Sequence, residues 1–236
     1  VLIAALIRHA DYRQQANTPS AHQPFPLSAA GQAQAAAAVP PLLALLRQHG
    51  WQLQPVIDSS CLLRAWQTAQ ILAQGLEQAL GQPFQVAECA DLAERGLGSA
   101  ANLSLEQIEQ VLAQDPRYPA PPANWKADSH YCLPLHGAES LLQAGTRVAG
   151  HLQWRMQQLE QQQARSPAAG PQLKLFVGHG AAFRHAAYRL GLLSLQQVAS
   201  LSMHHCQPIC LAYSPSGWRH LTGQWKPRKS NEPALD

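Results

Sequence analysis

The chain has 236 residues, 46% hydrophobic and 13% charged, with a formal net charge of +3 at pH 7. That length suits one domain with a sizeable core and does not require two. Lys and Arg are scattered, so the small positive excess makes no nucleic-acid-binding surface, and no apolar stretch near twenty residues is apparent, so a membrane partner is not expected. The apolar start, residues 1–7, is too short for a signal sequence. The five cysteines, Cys61, Cys89, Cys132, Cys206 and Cys210, are odd in number and hold no CxxC pair, which fits reduced thiols in the cytoplasm. His204-His205-Cys206 is a poor metal site, because adjacent residues on a strand point to opposite faces.

In chain order, residues 1–7 form an apolar strand that ends in Arg8-His9-Ala10. Residues 11–26 are polar and proline-containing and read as a loop over the strand end. A helical Ala/Gln/Leu pattern follows to about residue 49 with Ser28 as N-cap, and Pro40-Pro41 predicts a break near Val39. A strand at 55–58, a helix at 63–80 and a brief strand at 84–86 come next. Residues 115–136 carry five prolines beside Tyr118, Trp125 and Tyr131. That composition excludes a regular element, and such loops in compact domains serve as lids or binding loops or pack on themselves. A helix is predicted for 138–163, a loop for 166–171, an apolar strand at 173–177 ending in Gly178-His179-Gly180, and a helix for 180–190. Strands at 199–203, 209–213 and 218–221 close the pattern, with residues 222–236 as a tail whose basic run 225–229 reads as solvated. Strands alternating with helices make an α/β layered sandwich, its mostly parallel central sheet flanked by helices.

Two histidines thus stand where buried strands stop, at the rim where parallel α/β sheets bind ligands. An arginine beside one of them suits phosphate, which guanidinium recognises through paired donors, and a neutral imidazole can attack phosphorus. Arg64, in Ser60-Cys-Leu-Leu-Arg64-Ala-Trp-Gln-Thr-Ala69, falls at a helix start, where backbone N–H groups and the helix dipole favour an anion. Arg8-His9, that segment, Leu92-Ala-Glu94 and Gly178-His179-Gly180, in this order over residues 2–211, together resemble the histidine phosphatase superfamily, the phosphoglycerate mutase-like family. The resemblance implies one domain over 1–236 with 115–136 as a lid or specificity insertion. It implies His9 as a transiently phosphorylated nucleophile, with Arg8, Arg64 and His179 on the phosphoryl oxygens and His179 protonated to donate. Glu94 would be the proton donor, and no metal or other cofactor is called for. Glu139-Ser140-Leu141 with Arg147 matches another family stretch, and Glu139 is read either as first-turn helix stabilisation or as a site residue.

The family's mutase members carry a glutamate-arginine-histidine-tyrosine-glycine motif that Glu94-Arg95-Gly96-Leu97-Gly98 echoes only at its ends. Gly180-Ala181-Ala182-Phe183-Arg184 lacks the mutase asparagine and serine, and only Arg117 and Lys126 are basic in the 115–136 loop. A site that cannot retain the organic fragment passes its phosphoryl group to water, so phosphomonoester hydrolysis is favoured over mutase-like transfer. Ala10 replaces the family's usual glycine and would crowd the phosphate if its backbone needed φ > 0. A phosphate-ligand sensor or scaffold without turnover is the reading from another class. A protein phosphohistidine phosphatase would need an open cleft, which the proline-rich loop argues against. Tyr12, Arg13, His22, Trp125, Tyr131 and His205 are candidates for the leaving-group side, and they lean toward a small sugar or polyol phosphate as partner. Nothing in the sequence indicates a homo-oligomer.

Overall fold

The computed structural model describes residues 1–166 and 170–228. Its strands are β1 (Leu2–Arg8), β2 (Gln52–Leu53), β3 (Val56–Ser60), β4 (Gln85–Cys89), β5 (Gln172–Gly178), β6 (Leu201–Met203), β7 (Pro208–Ser214), β8 (Gly217–Thr222) and β9 (Trp225–Pro227). The helices are α1 (Ala29–Ala37), α2 (Val39–His49), α3 (Leu63–Leu80), α4 (Leu105–Gln114), α5 (Leu141–Arg165), α6 (Gly180–Arg189) and α7 (Leu195–Ser200). The main sheet has the order β4-β3-β5-β1-β7-β8, with β2 also on β5. Pairings among β1 to β5 are parallel, and β7 and β8 add antiparallel strands at one edge. This is the expected α/β sandwich.

Both faces of the central strands are covered, which is why β1 and β5 are apolar almost throughout. Side chains alternate along a strand. Ile3, Ala5 and Ile7 therefore pack with Leu42, Leu46, Leu72 and Leu76 of α2 and α3. Leu2, Ala4 and Leu6 face Val148, Leu152, Met156 and Phe183 of α5 and α6. Because β1, β3 and β5 run in parallel, Ser60, Arg8 and Gly178 end at one rim, with Arg8 opposite Gly178 in register. The functional side chains leave the sheet there.

The break near Val39 is present: α1 stops at Ala37, and Pro40-Pro41 enter the first turn of α2, where their missing N–H groups cost nothing. Contrary to the sequence reading, the segment Ala29–His49 is long and apolar enough to cross a membrane by length and composition. It is two helices rather than one, and Val39, Leu42 and Leu46 are buried against the sheet.

Three expectations need correction. Helix α4 was not anticipated, and the strand expected at 199–203 is α7 followed by the shorter β6. Both helices open with a capping box, Ser104 with Gln107 and Ser194 with Gln197, a Ser-x-x-Gln signal that is readable in the sequence. The supposed tail from 222 is partly structured: β9 pairs with β6, and Trp225 packs against the core. Residues 229–236, including Lys229 of the basic run, and 167–169 of the expected 166–171 loop lie outside the described residues. The 115–136 segment has no helix or strand, as expected, and it forms a small core of its own in which Trp125 and Leu133 meet Leu97, Ile108 and Leu112.

Candidate active site

His9 leaves the end of β1 and its backbone N–H donates to Gly178 O at 2.9 Å. The ring is 2% exposed, and its Nδ1 lies 2.7 Å from Ala10 O. A carbonyl can only accept, so Nδ1 carries the hydrogen and Nε2 keeps its lone pair. That lone pair accepts from Arg64 Nε at 3.2 Å. Burial, then the charges of Arg64 and Arg8, hold the His9 pKa well below the usual 6.5, which favours the neutral ring that a nucleophilic role would require.

Arg64 sits in the first turn of α3 and is fully buried. Its Nη1 donates to Gln23 O at 3.0 Å, and Nη2 donates to Ala21 O at 2.8 Å and to Ser20 O at 3.3 Å. Three carbonyls of the 11–26 loop thus aim the guanidinium, which lies 4.6 Å from the Tyr12 ring. Thr68, one turn along α3, donates to Arg64 O at 2.7 Å and accepts from Ala10 N at 3.0 Å. The helix start and the end of β1 are thereby tied together.

His179 follows β5 and is the N-cap residue of α6. Its Nδ1 accepts from Arg64 Nη2 at 3.2 Å, so Nε2 is the protonated nitrogen and donates to Ser60 Oγ at 2.8 Å. Burial, then Arg64, His9 and His22, hold its pKa well below the usual value. With no anion bound, burial and then the guanidinium charges thus favour the neutral His179 ring, and the expected protonated form would need a bound anion to offset them. Ser60, at the end of β3, was not among the sequence candidates. Arg8 donates through Nη1 to Met203 O at 3.0 Å and lies across Gly180, where a Cβ would stand 3.4 Å from Arg8 Cδ and Nε. The His9 and His179 ring centroids are 5.1 Å apart.

The Glu94 carboxylate sits on the N-terminus of α6. Oε1 accepts from Arg95 N at 2.9 Å and Ala182 N at 3.0 Å, and Oε2 from Ala181 N at 3.2 Å. Its charge is felt by both Tyr12 and Arg64, which places it near that guanidinium. Glu139 precedes the N-cap Ser140 instead of lying in the first turn of α5, so it is no first-turn stabiliser. It pairs with Arg147.

The six leaving-group candidates divide evenly. Tyr12 stands edge-on to His9 at 5.4 Å with its hydroxyl 2.9 Å from Ser20 Oγ. His205 Nδ1 donates to His9 O at 2.5 Å, and His22 Nε2 donates to Glu94 O at 2.9 Å. These three are around the catalytic groups. Trp125 is buried in the small core with Tyr131 packed against it, and Arg13 is exposed. Ala10 does not have positive φ, and its methyl group packs with Tyr12, Leu27 and Ala35. The feared crowding does not arise.

Among the described residues one trio, Asp58, Cys89 and His151, has donor atoms within 4.8 Å of one another. Asp58 and Cys89 come from β3 and β4 and His151 from α5. Lys174 and Arg155 already pair with Asp58 at 2.6 and 2.7 Å, and His151 stands at 2.9 Å. Against the opposing effect of burial, these partners hold the Asp58 pKa down to about 2, while burial pushes the Cys89 thiol up to about 11. Two cations at the carboxylate and a protonated thiol make this an ion-pair network unsuited to a metal.

The sequence profile of the histidine phosphatase superfamily (branch 1) matches residues 4–225. Among curated proteins no sequence matches significantly. A mycobacterial glucosyl-3-phosphoglycerate phosphatase solved with vanadate is similar in fold, with a TM-score of 0.60 and 24% identity over 92% of this chain and 96% of that one. A putative α-ribazole-5′-phosphate phosphatase from Escherichia coli gives 0.63 and 17% over 94% and 96%. The α-ribazole phosphatase from Shigella flexneri gives 0.65 and 17% over 97% and 100%. With the match spanning both strand-end histidines, both arginines and Glu94, this chain belongs to the histidine phosphatase superfamily.

Proposed function

We propose that the chain is a metal-independent phosphomonoester hydrolase that works through a phosphohistidine at His9. The observation that carries this reading is the hydrogen bond from His9 Nδ1 to Ala10 O, which leaves the Nε2 lone pair facing Arg64, with the His179 ring 5.1 Å away. Nε2 attacks phosphorus, the ester P–O bond breaks, and the leaving oxygen takes a proton from Glu94. Oε1 is anchored by two amides and Oε2 by one, so Oε2 is the oxygen that carries the proton. Water then attacks the phosphohistidine, gives its proton back to Glu94, and the P–N electron pair returns to Nε2. Arg8 and Arg64 balance the charge on the nonbridging oxygens, and His179 joins them once a bound dianion opposes the arginine field that keeps it neutral.

For substrate we propose a small phosphorylated metabolite of sugar or polyol type. Polar side chains with no carboxylate clamp among them, Tyr12, His22 and His205, stand around the catalytic pair, and solved structures of similar fold are named for phosphorylated glucosyl and ribazole compounds. The 115–136 segment is the proposed selectivity element. Five free thiols support a cytoplasmic setting.

The test is hydrolysis of a panel of sugar and alkyl phosphates, with trapping of protein-bound phosphate during turnover. Acid-labile, base-stable phosphate on the wild-type protein, together with a loss of turnover of roughly 10³-fold or more in His9→Ala, is expected. Binding without turnover would mean a sensor, and undiminished trapping on the His9→Ala protein would overturn the nucleophile.

A further inference from the structure

The segment that carries Glu94 has almost no regular structure to hold it. A single turn of 3₁₀ helix at Ala90–Leu92 is followed by irregular backbone until Leu97, which forms an isolated bridge with Ala138. Besides the His22 bond to Glu94 O and the α6 amides on its carboxylate, it is held from the start of α5. Arg147 Nη1 donates to Asp91 O at 2.9 Å and Ala93 O at 3.1 Å, and Nη2 reaches Glu94 O at 3.4 Å. Three carbonyls within four residues therefore curl around one guanidinium. Glu139 completes the frame. Its Oε1 accepts from Gly96 N at 2.9 Å, its own N–H donates to Gly96 O at 3.0 Å, and its carboxylate also binds Arg147. The backbone on both sides of Glu94 is fixed to this ion pair.

We infer that Arg147, oriented by Glu139, is a positioning residue for the proton donor: it sets where Glu94 Oε2 stands relative to the leaving oxygen. This rests on the reading of Glu94 as the acid. Proton transfer demands placement within hydrogen-bond reach, and an error on the ångström scale costs about 10²-fold. The pair is partly solvent-exposed, with side chains 24% and 21% accessible, so its direct contribution to folding is small. A large kinetic effect with a small stability effect is the signature of positioning.

The experiment compares single-turnover phosphorylation of His9 by an alkyl phosphate, glycerol 1-phosphate, and by p-nitrophenyl phosphate, whose leaving group needs little protonation. Arg147→Met should slow the alkyl phosphate by roughly 30-fold or more and the aryl phosphate by less than about 3-fold. In a Glu94→Gln background the same substitution should cost less than about 2-fold on either, since a residue acting through Glu94 has nothing left to place. Arg147→Lys, which keeps the charge without the fork, should fall between. Equal losses on the two substrates, or the full loss persisting in the Glu94→Gln background, would overturn the inference. If Glu94→Gln alone slows both substrates equally, the acid reading fails and takes the inference with it. Should Arg147→Met fail to fold, Glu139→Gln probes the same frame and should show the same substrate dependence in smaller measure; equal losses there overturn it as well.

Discussion

Arg64 Nε donates to His9 Nε2 at 3.2 Å, so the group proposed to bind the phosphoryl oxygens already holds the nitrogen proposed to attack phosphorus. In the proposed reaction an incoming phosphate oxygen would take over that donor and free the lone pair, while the guanidinium stays bonded to the carbonyls of Ser20, Ala21 and Gln23.

Arg64→Lys keeps the charge but cannot serve three carbonyls and two imidazoles from one ammonium group. The expected outcome is a loss of kcat/KM of about 10²- to 10³-fold. Buried carbonyls left without donors should cost about 1–3 kcal/mol of stability. Steady-state kinetics and urea unfolding measure the two effects, and retention of near wild-type kcat/KM would mean that the charge alone suffices.

The pH profile should show no titration of His9 or His179 near 6.5 in the free enzyme. His9 and His179 are held well below that value by burial and by arginine, and burial takes His185 down to about 4. Once the ionisation of the substrate phosphate is corrected for, the acid limb of kcat/KM should lie well below 6. Stability follows the same shifts. The unfolded chain binds protons near 6.5 that the folded one refuses, so stability is complete above 6.5 and falls as pH drops toward 4. The loss is up to about 1.4 kcal/mol per pH unit for each histidine. Asp58, with its pKa down at about 2, contributes stability that is lost only below about pH 4. Urea midpoints at pH 7 and pH 5 check this, and equal midpoints would contradict it.

Chelation should leave the rate unchanged, because the positive charge facing the phosphate is supplied by Arg8 and Arg64. A phosphatase activity abolished by EDTA and restored by a divalent ion would refute that assignment of charge.

Gly145→Ala should destabilise the fold strongly. A Cβ at Gly145 would stand 2.4 Å from His185 Cβ and 2.5 Å from its carbonyl carbon, so α5 and α6 would have to separate. A cost of about 1–3 kcal/mol is expected. Because α6 carries the amides under Glu94, activity should fall as well. Thermal unfolding and kcat/KM on the same protein check both, and an unchanged melting temperature would show that the helices can part freely.

The sequence by itself determined the frame of the site. Apolar runs that end in Arg8-His9 and in Gly178-His179, and an arginine at the start of a helix, are local patterns, and their physics is local: strand burial, strand ends and helix dipoles. The break near Val39 was legible for the same reason. Only the tertiary structure decided what those groups do to one another. The neutral His179 ring is favoured because folding buries it beside Arg64 and Arg8, which lie more than a hundred residues away along the chain. Glu94 was legible only through its place in a motif, since its setting comes from α6 amides and from Arg147, and no spacing in the sequence encodes that meeting. Trp125 and Tyr131 looked like surface aromatics poised for a ligand, yet the fold spends them on packing with α4. That helix is legible in the Ser104–Gln107 capping box and in Leu105, Ile108 and Leu112 at helical spacing. Hydrogen-bond partners and electrostatic neighbours are set by which chain segments become adjacent, and adjacency is what folding, rather than local sequence, supplies.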